Sequence, residues 1–153
     1  MLGIASKYNL KNPITMRQHQ VHDHPVLLFD GVCNLCNTSV QKVIKVDRKE
    51  VFRFASLQSD AARELLSNSQ LSETHLDSVV LYKGGKFYSH SDAVLETARI
   101  MGFPWALLYI FRPVPRFIRD GVYNWIARNR YRWFGKKDQC MIPTPDLKAR
   151  FLD

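Results

Sequence analysis

Two cysteines separated by two residues, Cys33-Asn34-Leu35-Cys36, are the part of this sequence best suited to chemistry. The run Val26–Phe29 before them is short, continuous and apolar, which is the mark of a buried strand. Asp30-Gly31 is a turn pair, and beyond it Cys36, Val40, Val43, Ile44 and Asp47 recur at helical spacing. The cysteines therefore fall where a strand turns into a helix over residues 33 to about 47. Residues three apart face the same side of a helix, so both sulfurs can meet across one turn. A helix start also offers unpaired N–H groups and the positive end of the dipole, and both stabilise a thiolate at Cys33. A disulfide closing so small a loop restrains the unfolded chain by at most about 2 kcal/mol. Such a bridge is better explained as reactive than as structural.

Asp30 stands three residues before Cys33. As a carboxylate beside thiols it can accept the proton of Cys36 when that residue attacks a mixed disulfide. It can also cap N–H groups in the strand-to-helix turn, as Asp before Gly often does, and the two roles are compatible. Its charge by itself raises a neighbouring thiol's pKa, against the helix dipole. Other uses of the cysteines stay open. They can be small apolar residues at a crowded helix start, or half of a zinc site. A structural zinc site needs four ligands, and His19, His22, His24 and Cys140 fit no tight ligand template with the pair. Cys140 is either a third redox thiol or a packed, inert one.

The elements that must hold this pair can be read in order. Val51–Leu57 is a second strand, and Ser59 is a good N-cap for a helix with Ala62, Leu65 and Leu66 on its apolar side. A polar linker, Ser67–His75, leads to a strand at Ser78–Tyr82, and Lys83-Gly84-Gly85-Lys86 is a hairpin turn into Phe87–Ser89. Ser91 can cap a further helix with Val94, Leu95, Ala98 and Met101 on one side and Gly102 as its stop. Strand, helix, strand, helix, hairpin, helix predicts an α/β fold: a small mixed sheet with helices on both faces.

The remainder differs in character. Trp105–Phe111 is apolar but too short to cross a bilayer. Ile118, Val122, Trp125 and Ile126 mark one face of a helix that should stop near Gly135. Arg128, Arg130, Arg132, Lys136 and Lys137 interleave with Tyr131, Trp133 and Phe134. The plain reading is an amphipathic helix end with aromatics inward and arginines solvated. Binding of single-stranded nucleic acid, an acidic partner or an anionic membrane surface is the competing one. The chain thus divides into a polar N-terminal extension (1–24), an α/β core (25–102) and a basic, aromatic-rich helical extension (103–153) packed on the same domain.

Bulk figures narrow the classes. At 153 residues, 46% hydrophobic and 24% charged, the chain has ordinary globular usage and is not wholly disordered. Three cysteines, an odd and low number, argue against a secreted disulfide scaffold. The first two dozen residues lack the apolar stretch of a secretory signal, and a cytoplasmic location is expected. Lys7, Lys11 and Arg17, with no acid before Asp23, leave an organellar presequence open. The net charge of +8 is unevenly spread, +2 over residues 1–100 and +6 over residues 101–153. It speaks to partners and solubility, not to fold.

With Asp30-Gly31-Val32-Cys33-Asn34-Leu35-Cys36 after an apolar strand, the chain resembles the DCC family of thiol-disulfide oxidoreductases, named for an Asp-x-x-Cys-x-x-Cys motif. Phe52–Ser59, Asp77–Leu81, Ser91-Asp92-Ala93 and Ala127–Pro145 also resemble that family, so the likeness spans about residues 25 to 153. The resemblance implies a thioredoxin-like fold and protein-disulfide reductase activity, with Cys33 and Cys36 as the redox pair. Thioredoxins place a cis-proline just before the third strand, and the comparable His75-Leu76-Asp77-Ser78 has none. The expected function is a thiol-disulfide oxidoreductase with catalytic Cys33, Cys36 and Asp30. It would need no cofactor beyond its own disulfide and an external thiol donor. Its expected partners are a disulfide-containing protein or a small-thiol substrate, with no nucleic acid, no membrane span, and peripheral membrane contact left open. Cys33, at the helix start, is expected to be the more exposed and attacking thiol, and Cys36 the resolving one. A basic binding module or a metal-binding module is the alternative.

Overall fold

The computed structural model describes residues 21, 23–67, 79–136 and 144–152. Outside them lie most of the N-terminal extension with His19 and His22, the linker beyond Ser67 with the His75–Ser78 stretch, and the segment holding Lys137 and Cys140.

The chain forms β1 (Val26–Phe29), α1 (Asn34–Val46), β2 (Arg53–Ser56), α2 (Asp60–Ser67), β3 (Val80–Lys83), β4 (Lys86–Ser89), α3 (His90–Met101) and α4 (Arg116–Phe134). A 3-10 segment, Trp105–Phe111, precedes α4, and a short one, Lys148–Arg150, follows it. The sheet runs β2-β1-β3-β4, with β1 parallel to β2 and antiparallel to β3, and β3 antiparallel to β4.

Side chains on a strand alternate between faces, and β1 uses both. Leu27 and Phe29 join Phe54 and Leu81 on one face, against Val40 and Val43 of α1, Ala93 of α3 and Phe151. Val26 and Leu28 join Ala55, Val80 and Tyr82 on the other, against Ala61 and Ala62 of α2 and Leu152. The continuous apolar run of β1 thus reflects a strand buried on both sides. Each fully buried Val, Leu or Phe contributes roughly 1.5–3 kcal/mol, which makes this strand the centre of the fold. The C-terminal tail covers the β2 edge: Leu152 N–H donates to the Phe54 carbonyl at 2.9 Å, and Phe151 forms a parallel bridge with Phe54. An edge so covered offers no template for pairing with another chain. The β3–β4 turn needs left-handed backbone at both central residues, and Gly84 (φ 57°) and Gly85 (φ 81°) supply it. This is a thioredoxin-like α/β arrangement with a C-terminal helix.

Several local expectations need correction. The second strand is shorter than the apolar run, because Val51 and Phe52 donate their N–H groups to the Asp47 carboxylate instead of a neighbouring strand. The N-cap position of α3 is Ser89, not Ser91. Ser91 Oγ bonds to Asp120 and accepts from Arg119 Nη1 at 3.1 Å, so it ties α3 to α4. Ser59 behaves as expected and accepts from Ala62 N–H at 3.2 Å. Of the expected stripe, Ile118, Val122 and Trp125 are exposed and only Ile126 turns partly toward the body. The residues of α4 that face the body are instead Arg119, Tyr123, Ile126 and Arg130, which recur at the same helical spacing.

Candidate functional site

Cys33 is the N-cap residue of α1, in extended backbone, and its Sγ accepts the N–H of Cys36 at 3.4 Å. Its carbonyl accepts Asn37 N–H at 2.9 Å, the first bond of the helix. Asn37 Nδ2 in turn donates to the Gly31 carbonyl at 2.9 Å and fixes the strand-to-helix turn. Both cysteines are free thiols.

The expected difference in exposure is not found. Cys33 is 0% exposed and Cys36 7%. The cause lies about a hundred residues away, at the end of α4. Lys136 forms an antiparallel bridge with Cys33, Asn34 N–H donates to the Gly135 carbonyl at 3.5 Å, and Asn34 Nδ2 donates to the Phe134 carbonyl at 2.8 Å. The segment Phe134–Lys136 is a strap over the first cysteine. Gly135 makes the strap's tight exit from the helix at φ 81°, and a Cβ there would meet Asn34 Nδ2 at 3.1 Å.

Cys36 faces the other way, onto an apolar cavity of about 420 Å³ between α1, α3, the Trp105–Phe111 segment and α4. Its walls include Phe29, Val43, Met101, Leu108, Tyr123 and Arg130. Burial pushes the Cys36 thiol from near 9 up to about 12. The hydrogen bond and charge of Cys33 add to the rise, and the Arg130 guanidinium opposes it. Burial likewise raises the Tyr123 phenol, against the Val79 N–H that its oxygen accepts at 2.9 Å.

Asp30 is buried beneath the cysteines with both oxygens engaged. Oδ1 accepts Val32 N–H at 3.1 Å and Gln58 Nε2 at 2.9 Å. Oδ2 accepts Arg130 Nη2 at 3.1 Å and the Tyr131 hydroxyl. A carboxylate has about four lone-pair sites, and here four donors fill them. The turn-capping role read from Asp-Gly is present in the Val32 bond. Gln58 extends the network, accepting Gly31 N–H at 3.2 Å and the Ser56 hydroxyl at 2.5 Å. Burial and the bond to Asp30 raise the Tyr131 phenol.

Reading the basic C-terminal stretch as solvated arginines fails at Arg130. It is 5% exposed, paired with Asp30, with its guanidinium 4.8 Å from the Tyr131 ring centroid. The aromatics behave oppositely, with Trp133 and Phe134 half exposed. Arg130, Tyr131 and Gln58 were thus missed as site residues. The signal that could have found Arg130 is its place in the Arg119–Tyr123–Ile126–Arg130 spacing. Among the described residues no group of three or more His, Cys, Asp or Glu side chains is placed to hold a metal ion. His24 Nδ1 lies 3.0 Å from the Val51 carbonyl, well away from the cysteines in the fold. No helix among the described residues is long and apolar enough to cross a membrane.

Comparison with known proteins bears on this arrangement. The chain is 49% identical over 127 residues to "Uncharacterized protein YuxK" of Bacillus subtilis (strain 168), spanning 83% of this chain and 93% of the relative. It is 42% identical over 119 residues to "DCC family protein At1g52590, chloroplastic" of Arabidopsis thaliana, spanning 77% of this chain and 69% of the relative. No solved structure shows a significant match. The profile of the DCC1-like thiol-disulfide oxidoreductases matches residues 27–136, from the middle of β1 to the strap over Cys33. The matched stretch covers both cysteines, Asp30, Gln58, Arg130 and Tyr131, and with these matches the chain belongs to the DCC1-like thiol-disulfide oxidoreductase family.

Proposed function

We propose that the protein is a dithiol–disulfide oxidoreductase of the protein-disulfide reductase type, with Cys33 as the attacking thiol and Cys36 as the resolving one. The observation that carries this reading is the asymmetry of the pair. Cys33 Sγ sits at the N-cap of α1, at the positive end of the helix dipole, and accepts the Cys36 N–H. Cys36 is pushed up to about 12 and stays protonated. Cys33 thiolate attacks one sulfur of a substrate disulfide, forming a mixed disulfide and releasing the first substrate thiolate. Cys36 then gives up its proton and attacks Cys33 Sγ, which releases the second thiolate and leaves a Cys33–Cys36 disulfide. Dithiol plus disulfide becomes disulfide plus two thiols, and an external thiol restores the dithiol.

Asp30 is the acceptor proposed for the Cys36 proton. Its lone pairs are filled, so one donor must give way, and Tyr131, the most exposed of its donor residues apart from Gln58, is the one freest to move. The Phe134–Lys136 strap must also lift before a disulfide reaches Cys33. A disulfide-bearing protein or small thiol is the substrate class this chemistry serves.

Thiol trapping across a series of glutathione ratios tests the reading. A single reversible two-electron couple is expected, lost in both Cys33→Ser and Cys36→Ser. With an added disulfide substrate, Cys36→Ser should accumulate mixed disulfide and Cys33→Ser should not. Absence of a Cys33–Cys36 disulfide at every potential would sink the proposal.

A further inference from the structure

The C-terminal helical region carries surface that neither the core nor the cysteine site explains. Among the described residues every large apolar side chain that is substantially exposed lies between Val94 and Phe134. The most exposed sit in two places. Phe103 (84%), Leu107 (63%) and Ile110 (76%) belong to a stretch, Phe103–Phe111, without a single charge. Along α4, Phe117 (77%) is exposed at the first turn, and Ile118, Val122, Trp125 and Trp133 form an exposed stripe, with the rings of Trp125 and Trp133 in edge contact 5.1 Å apart. Isolated exposed apolar residues are ordinary, but a contiguous population rimmed by polar ones marks an interaction site.

The charge around these side chains identifies the partner. Residues 101–136 hold seven basic side chains against Asp120; Arg112, Arg116 and Arg119 pair with Asp92 and Arg130 with Asp30, which leaves Arg128, Arg132 and Lys136 as the cations that face outward. Arg128 and Arg132 lie on the turns of α4 beside the tryptophan stripe, are exposed, and have no carboxylate partner among the described residues. Arg112 and Arg116 stand at the end of the uncharged stretch, both paired with Asp92 (3.0 and 3.1 Å) and with side chains 42% and 68% exposed, so that with Arg119 three cations share one carboxylate and a net positive charge remains. An apolar tip with a basic collar and tryptophans at the boundary matches an anionic lipid surface, where apolar groups enter the acyl boundary and cations meet headgroups. A second copy of the chain fits poorly, because a two-fold contact through this face sets like charges against each other.

We infer that the surface formed by Phe103–Phe111 and the exposed side of α4 docks peripherally on an anionic membrane. The protein lies on the bilayer by this face, with the sheet and the cysteine turn held on the far side of α4.

Cosedimentation and intrinsic fluorescence with lipid vesicles test this directly, since all three tryptophans lie in the surface. With vesicles of phosphatidylcholine plus phosphatidylglycerol at low salt, the protein should sediment with lipid and its emission should shift to the blue. Phosphatidylcholine alone should give weak binding, and added salt should release the protein from the anionic vesicles. Arg128→Gln with Arg132→Gln should lower partitioning about 25-fold, at about 1 kcal/mol per basic side chain. Phe103→Ser with Ile110→Ser should lower it at least about 10-fold without changing the salt dependence. All four side chains are exposed, and unchanged circular dichroism and thermal midpoint would confirm that the variants fold. Equal affinity for both lipid mixtures would overturn the inference. So would absence of binding, a stable dimer in place of binding, or binding to an acidic polypeptide that survives both apolar substitutions.

Discussion

The two ends of α1 are built with the same device and do different work. At each end a buried aspartate is held by an arginine from about a hundred residues further along. Asp30 meets Arg130 at 3.1 Å before the helix, and Asp47 meets Arg150 at 2.5 Å after it. Burial is nearly equal, with side chains 6% and 6% exposed in the first pair and 5% and 5% in the second. Each guanidinium also lies over an aromatic ring, Tyr131 in one case and Phe54 in the other. The surroundings differ. Asp47 is the C-cap of α1, at the negative end of the dipole, and its other donors are the N–H groups of Val51 and Phe52. Asp30 lies toward the positive end, beside two thiols, and has one donor more. The Asp47 pair clamps the tail onto the sheet. The Asp30 pair clamps α4 onto the cysteine turn, where its charges reach Cys36. A shared clamp thus becomes part of a reactive site through position alone.

The largest effect should follow from Arg150→Met. It leaves Asp47 buried without a cation at the unfavourable end of a helix, and loss of one partner of a buried pair costs about 3–5 kcal/mol. Urea unfolding should show that loss, with a fall of about 10 °C in thermal midpoint. The Cys33–Cys36 midpoint should stay where it is. A shift in that midpoint would show that the two ends are coupled and the comparison false.

Arg130→Met should cost less, about 2–3 kcal/mol, because Asp30 keeps Val32, Gln58, Tyr131 and the favourable helix end. Unlike Arg150→Met, it should act on the thiols. The guanidinium pulls the Cys36 thiol down, so removing it should drive that thiol higher still. Resolution of a preformed Cys33 mixed disulfide, followed by stopped-flow at fixed pH, should slow several-fold more than in Arg150→Met. Equal rates in the two variants would reduce Arg130 to a structural clamp.

Gly135→Ala probes what only the Cys33 end possesses, its strap. At φ 81° and ψ 170° the backbone is in a region essentially reserved for glycine, and the new methyl would press on Asn34. The cost is about 2 kcal/mol, which the strap can relieve by lifting. Alkylation of Cys33 by iodoacetamide at neutral pH should therefore quicken several-fold, read by mass spectrometry. An unchanged rate would mean that the strap does not limit access.

How much of this was legible beforehand depends on how far apart in sequence the cause and effect lie. The bounds of β1, the hairpin at Gly84-Gly85, the helix after Cys33 and the cap at Ser59 are local, and residue type and spacing carried them. The mixed sheet with helices on both faces followed from the alternation of elements, whereas the strand order came only from the structure. The cover over Cys33 could not be read, because the strap comes from residues 134–136 and leaves no trace near the motif. The α4 faces misled for a related reason. Hydropathy alone points to the apolar residues as the buried side, yet the body offers Asp30, Asp92 and Val79 N–H to that helix, so Arg130, Arg119 and Tyr123 turn inward. Burial there follows partners, not hydropathy, and the partners lie in other elements.

The smallest effect concerns pH and isolates Cys36 from the rest of the site. Its folded pKa is raised, so the native thiol holds its proton after the unfolded one has lost it. Its contribution is fully present below the unfolded value near 9 and falls away as pH climbs from there toward about 12. One such group costs about 1.4 kcal/mol per pH unit well inside that window, and the reduced protein should lose about 1 kcal/mol between pH 9 and 10, where the unfolded thiol is still completing its ionisation. Lysines and tyrosines titrate nearby, and comparison of the reduced protein with Cys36→Ser subtracts them. The slope difference should be close to one proton, and it should vanish once the disulfide forms, since neither sulfur then titrates. Parallel slopes for the two reduced proteins would place Cys36 in a wetter setting than the cavity wall, and the asymmetry that assigns attack to Cys33 would lose its basis.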